Sequence, residues 1–178
     1  MLRRLHKFVA QDRGTALIEF ALVLPIMITL FLGVFEVTRV VAASMRLANA
    51  ATTMANLVAQ QTSVSNTSSS MTDFCNGSGL AMTPLASASL KVAVASVTNK
   101  SSGGVTQDWS DVTCGSATAI SNPTTLASTL VPNVNDSVII AQATYAYTSP
   151  ISYVLASSFT LTQTAYQRPY NVTTVTHS

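Results

Sequence analysis

Thr15 to Val37 reads TALIEFALVLPIMITLFLGVFEV, and this stretch decides the architecture. As a helix rising about 1.5 Å per residue, it extends about 35 Å, enough to cross a hydrocarbon core about 30 Å thick. Glu19 and Glu36 stand near its two ends, and no residue between them is charged. Pro25 and Gly33 interrupt the pattern, but a membrane helix tolerates both where neighbouring groups satisfy the freed backbone. A buried helix of a soluble domain is the alternative, and the length and the flanking charges oppose it. On the N-terminal side Arg3, Arg4, Lys7 and Arg13 form a basic head, which the positive-inside rule keeps in the cytoplasm.

On the C-terminal side the helical pattern continues. Apolar or small residues fall at Val40, Ser44, Leu47, Ala51, Met54 and Val58, spaced 4-3-4-3-4, while Arg39, Arg46, Thr53 and Gln60 recur every seven residues on another face. This narrow stripe resembles a coiled-coil seam. It predicts one helix from Thr15 to about Gln61, on the order of 70 Å long. A stripe so rich in Ala and Ser packs closely, either on a partner helix or on the chain's own C-terminal domain.

After Gln61 the composition shifts to TSVSNTSSSMTD, a polar stretch that reads as a linker. Residues 63–178 are then long enough for a core of their own. Leu90, Val92 and Val94 alternate with Lys91, Ala93 and Ala95, Gly103-Gly104 offers a turn, and Val105 to Val112 returns. Val138 to Thr148, VIIAQATYAYT, and Phe159 to Gln167 are two further strands. Asn122-Pro123 reads as an N-cap followed by a first-turn proline, opening a short helix through about Leu130. The fold class is therefore α+β: a leader over 1–14, a transmembrane helix over 15–37, an amphipathic extension over 38–62, and a small head with an antiparallel sheet over 63–178. Cys75 and Cys114 both lie beyond the apolar run; on an oxidising side they form one disulfide, and otherwise they are two unrelated thiols.

Composition narrows the function classes. Charged residues make up 9% of the chain and hydrophobic ones 48%, with Ser, Thr and Asn filling much of the remainder, as in an exported protein. The net charge of +2, without a basic stripe interleaved with aromatics, opposes nucleic-acid binding. A catalytic set is also missing. The histidines are His6, in the leader, and His177, on a terminus expected to be mobile, and a Ser-His-Asp triad needs a positioned imidazole. Asp108 and Asp111 flank Trp109-Ser110 and read as a solvated turn with a buried Trp rather than as a carboxylate pair; Asn76-Gly77 reads as another turn. No metal-ligand spacing, phosphate loop or other cofactor motif is present, so neither enzyme activity nor a cofactor is expected.

Arg13-Gly14-Thr15-Ala16-Leu17-Ile18-Glu19-Phe20 joins the basic head to the apolar run, with a glycine, a small residue and an acid at the fifth position beyond the glycine. It resembles the processing site of the type IV pilin superfamily, and the following Ala21 to Pro25, ALVLP, looks more narrowly like the TadE/TadG-like minor pilins of tight-adherence pilus systems. Ser137 to Ile140, Ala143 to Tyr147 and Leu161 to Pro169, ending Ala165-Tyr166-Gln167-Arg168-Pro169, are similar to the closing pattern of TadE-like proteins. The resemblance implies cleavage between Gly14 and Thr15 by a prepilin peptidase, with the mature chain keeping its helix in the inner membrane and its head in the periplasm. The partners it implies are other pilin-like subunits (TadF/TadG-like and the major pilin), the peptidase, the inner-membrane assembly platform and the lipid bilayer. It implies a structural role in pilus biogenesis and adhesion, in a short member of the family.

Physical reasoning runs beside that resemblance. A carboxylate in a membrane costs about 2.5 to 3.5 kcal/mol when unpaired and so marks a contact. For Glu19 the expected partner is the amine that cleavage would create at Thr15, in the same chain or a neighbour; the alternative is a glutamate reaching into the headgroups. For Glu36 the expectation is an interfacial ion pair with Arg39, three residues on. A secreted binding protein with an ordinary signal peptide, cut near Ala48-Asn49-Ala50, is the competing reading, opposed by Arg39 and Arg46 lying between the apolar run and that site. A signal-anchored periplasmic enzyme is the third.

Overall fold

The computed structural model describes residues 13–65, 70–151 and 158–178. The basic head with Arg3, Arg4, His6 and Lys7 lies outside the described residues. Helix α1 runs from Arg13 to Ala59 without a break and includes Pro25. Three threonines on it, Thr29, Thr38 and Thr52, donate their hydroxyls to the carbonyls four residues earlier, at 2.8–2.9 Å. Each thus satisfies its polar atom within the helix. Strand β1 (Ser63–Val64), helix α2 (Ser70–Leu80), strands β2 (Leu90–Lys100) and β3 (Gly104–Cys114), helix α3 (Pro123–Ala127) and strands β4 (Ser137–Thr148), β5 (Ser158–Gln167) and β6 (Thr176–His177) follow in order. A long apolar helix followed by a small α+β domain is the architecture, as the alternation of the sequence predicts.

The chain divides into two compact units. Described residues of Met1–Arg39 with Ser149–Ser157 form the first, and Val40–Thr148 with Ser158–Ser178 the second. In the second, β2 to β5 make one antiparallel sheet in the order β3-β2-β4-β5. Period-2 alternation sends two sets of side chains to opposite faces. One face carries Leu90, Val92 and Val94 from β2 and Ile139, Ala141, Ala143, Tyr145 and Tyr147 from β4, packed with Ala43, Leu47, Ala51, Met54 and Val58 of α1. Ala93, Ala95, Val97, Val138 and Ile140 point the other way, onto Ile120, Ala127 and Val131 around α3. The stripe from Val40 to Val58 is thus the seam by which α1 packs on the chain's own sheet, in one core cluster with it.

Four local expectations are corrected. Asn76-Gly77 is not a turn but sits inside α2, where Cys75 is bonded to Cys114 of β3; a Cβ on Gly77 would lie 3.3 Å from Leu57 Cδ1, so the glycine keeps α2 close to α1. Asp108 to Asp111 is not a solvated turn but part of β3, whose register with β2 shifts twice, between Val92 and Val94 and between Ser96 and Val97. Such shifts re-aim side chains, and Trp109 is only partly buried. Asn122 is the N-cap and Pro123 opens α3, as the sequence predicts, but the cap is made without the side chain and α3 ends at Ala127 rather than near Leu130: Asn122 takes a left-handed conformation (φ 51°) and its carbonyl accepts from Thr125 and Leu126. The polar stretch after Gln61 contributes Ser63–Val64 to a parallel pairing with Thr176–His177, and its end belongs to α2; residues 66–69 of it lie outside the described residues.

Candidate functional site

Gly14, Thr15 and Glu19 stand on the first exposed turns of α1. Gly14 has nothing within 4 Å of the position a Cβ would take, so its flank is open. Thr15 and Glu19 are four residues apart on one helix and share a face one turn apart. Beyond them Leu17, Leu22, Ile26, Leu30 and Phe31 are all more than 60% exposed, so none of the described residues covers this apolar surface. A soluble core helix of this composition would be buried; α1 is long and apolar enough to cross a membrane, and that stretch is bare. Around Gly33 a shallow groove of about 430 Å³ lies between Thr29, Leu30, Val34, Val37 and Thr38, almost wholly apolar and without an acid or a base in it.

Glu36 is 1% exposed, and Ser149 Oγ donates to its Oε1 at 3.0 Å. The guanidinium of Arg39 lies 5.3 Å from the centre of the Phe35 ring. Glu36 thus has a hydroxyl partner, and Arg39 places its cation over an aromatic face. The seam continues polar contacts along α1: Gln163 Nε2 on β5 donates to Ser44 Oγ at 2.9 Å, and the Tyr170 amide donates to the Ala59 carbonyl at 3.0 Å.

Cys75 and Cys114 form a disulfide with their Cα atoms 5.6 Å apart. Beside it lies a constellation that the sequence reading missed. His177, on β6, sets its Nε2 3.6 Å from Oδ2 of Asp111, which is 2% exposed, while Oδ1 of Asp111 accepts from the amide and hydroxyl of Thr113. Trp109 stacks obliquely on His177, ring centres 5.0 Å apart, and donates its Nε1 to the Val175 carbonyl at 2.7 Å. His177 is therefore held, not mobile. Its acid and indole partners come from β3, far away in the chain, and no local signal announces them. The cluster ties the C-terminal strand to β3. Among the described residues no group of three or more His, Cys, Asp or Glu is placed to hold a metal.

The family model described as TadE-like protein matches residues 14–56. The match begins at Gly14, takes in Thr15, Glu19 and Glu36, and ends within the seam that α1 makes with the sheet. The similarity read in Ser137 to Pro169 lies outside it. No curated protein and no solved structure matches the chain. The bare apolar stretch of α1 and most of the stripe that builds the head's core thus fall in one matched segment, and over residues 14–56 the chain is similar to the TadE-like family.

Proposed function

We propose that the protein is a structural subunit, a minor pilin or pseudopilin, of a tight-adherence pilus system. In this reading α1 enters the inner membrane with its basic leader in the cytoplasm, a prepilin peptidase cuts after Gly14, and the head stands in the periplasm or at a filament tip. The observation that carries the reading is the TadE-like match over residues 14–56, on a helix whose first half is apolar and uncovered. Mature Thr15 then presents an amine one helical turn from Glu19, and their opposite charges offset the cost of a carboxylate at the membrane edge. Assembly by helix packing and this charge pairing requires no substrate turnover. Other pilin-like subunits and the inner-membrane platform are the partners, with no nucleic acid and no cofactor.

The deciding experiment is the intact mass and N-terminal residue of the protein from its native membrane, with and without the peptidase. A chain starting at Thr15 only when the peptidase is present is the expected result. A start near Ala51 makes it a secreted protein, and an uncut chain makes it a plain anchor; each rejects the proposal. Glu19→Ala is expected to insert normally and to assemble poorly, and normal piliation in that variant rejects the charge pairing.

A further inference from the structure

Helix α2, SMTDFCNGSGL, has the composition of a loop. Gly77 and Gly79 are the poorest helix formers after proline, Asn76, Ser78 and Thr72 are weak ones, and eleven residues are fewer than an isolated helix needs in water. Its burial is small: Met71 and Ser78 are buried and Phe74 and Cys75 pack partly against the core, while Thr72, Asp73, Asn76 and Leu80 are exposed. Two apolar side chains do not offset the ordering of eleven residues. What remains is the Cys75–Cys114 bond, which fixes the middle of α2 to the end of β3 across 39 positions of sequence. The sheet has no such dependence, because β2 and β4 are buried along almost their whole length and paired on both sides.

We infer that α2 is a redox-conditional element: it is helical when Cys75 and Cys114 are bonded, and it melts off α1 when they are reduced, leaving the four-stranded sheet folded. Cys114 is 3% exposed, but Cys75 is half-buried and lines an open concavity of about 370 Å³ with Asn76, Gly79, Thr83 and Ser87. An external dithiol therefore attacks Cys75 Sγ, the S–S bond breaks, and Cys114 leaves as a thiolate that takes a proton. The dithiol's second thiol displaces Cys75 as a thiol, and the dithiol itself closes into a disulfide, two electrons having passed to the protein. Melting uncovers the α1 surface around Leu57, against which Gly77 packs, and frees Met71 and Phe74. The inference rests on the head alone and stands whatever the chain's role.

The test is amide hydrogen exchange, read by mass spectrometry, on the full chain in detergent micelles, oxidised and after excess dithiothreitol. Exchange in a peptide spanning 70–80 is expected to rise on the order of 700-fold on reduction, from the loss of a loop closure of this length, while peptides from β2 and β4 change less than about twofold. In the reduced chain Gly79→Ala is expected to slow the same peptide about fivefold, since an Ala in a helix outweighs a Gly by about that factor in its equilibrium. The variant Cys75→Ser/Cys114→Ser should match the reduced wild type, which decides the matter by itself if the variant does not fold. Retained protection of 70–80 in the reduced chain overturns the inference. So does a loss of protection shared equally by the sheet, or a disulfide that the dithiol does not reduce in the folded protein.

Discussion

Leu47 and Met45 stand two residues apart on α1, yet Leu47 is 0% exposed and Met45 is 64% exposed. Replacing each by Ala separates the seam with the sheet from the outer face of the same helix. Leu47→Ala removes three buried carbons, worth about 2.5 kcal/mol at about 0.8 kcal/mol each. It also leaves a cavity; at about 24 cal/mol per Å³, a residual void of about 50 Å³ adds roughly 1 kcal/mol. The expected loss is therefore about 3 to 4 kcal/mol, whereas Met45→Ala should stay within about 0.5 kcal/mol. The assay is urea unfolding of the full chain in micelles, followed by the fluorescence of its one tryptophan, Trp109, which sits on the sheet. With a slope of about 2 kcal/mol per M, the Leu47→Ala midpoint falls by about 1.5 to 2 M and the Met45→Ala midpoint by less than about 0.3 M. Equal midpoints for the two variants, or a silent Leu47→Ala, would refute the assignment of the stripe to the chain's own head.

Three further outcomes follow from particular contacts. Gly115→Ala places a Cβ 2.4 Å from the Leu90 carbonyl oxygen at a residue with φ +69°, so it should cost well over about 2 kcal/mol in the same unfolding assay. Trp109→Phe leaves the Val175 carbonyl without its indole donor and should cost about 1 to 3 kcal/mol, read by circular dichroism since the fluorophore is gone, with faster exchange of the 175–178 amides. Burial, aided by neighbouring Tyr147, pushes the Tyr145 hydroxyl above its ordinary value; the native state then holds that proton longer than the unfolded chain does. Its contribution to stability is complete below pH about 10 and is lost as pH rises through the raised native value, so unfolding midpoints should fall only above pH about 10 and less so in Tyr145→Phe.

Much of this fold is local, and so it is legible in the chain. The apolar run from Thr15 to Val37 and the stripe from Val40 to Val58 foretell one helix, since side-chain periodicity along a helix depends on nothing outside it. Alternation in Leu90–Ala95 and Val138–Thr148 likewise reveals strands, because successive side chains of a strand point to opposite faces whatever their neighbours are. The candidate site divides in the same way. Gly14, Thr15 and Glu19 are read from spacing alone, whereas Glu36 acquires a partner that spacing does not show, Ser149, from more than a hundred residues away.

What the sequence determined by itself was the membrane-length helix, the α+β order of elements and the resemblance of Arg13 to Pro25 to TadE-like proteins, which the family match over residues 14–56 includes from Gly14 on. Tertiary structure alone decided that Asn76-Gly77 is helical, because a disulfide and the room beside Leu57 outweigh the turn preference of the pair. It alone decided that Asp108–Asp111 is strand, that β3 lies at one edge and β5 at the other, and that His177 meets Asp111 and Trp109. The reason is common to all of these: each rests on residues that lie tens of positions apart, and local preferences of a fraction of a kcal/mol to about 1 kcal/mol per residue yield to burial and covalent closure worth several.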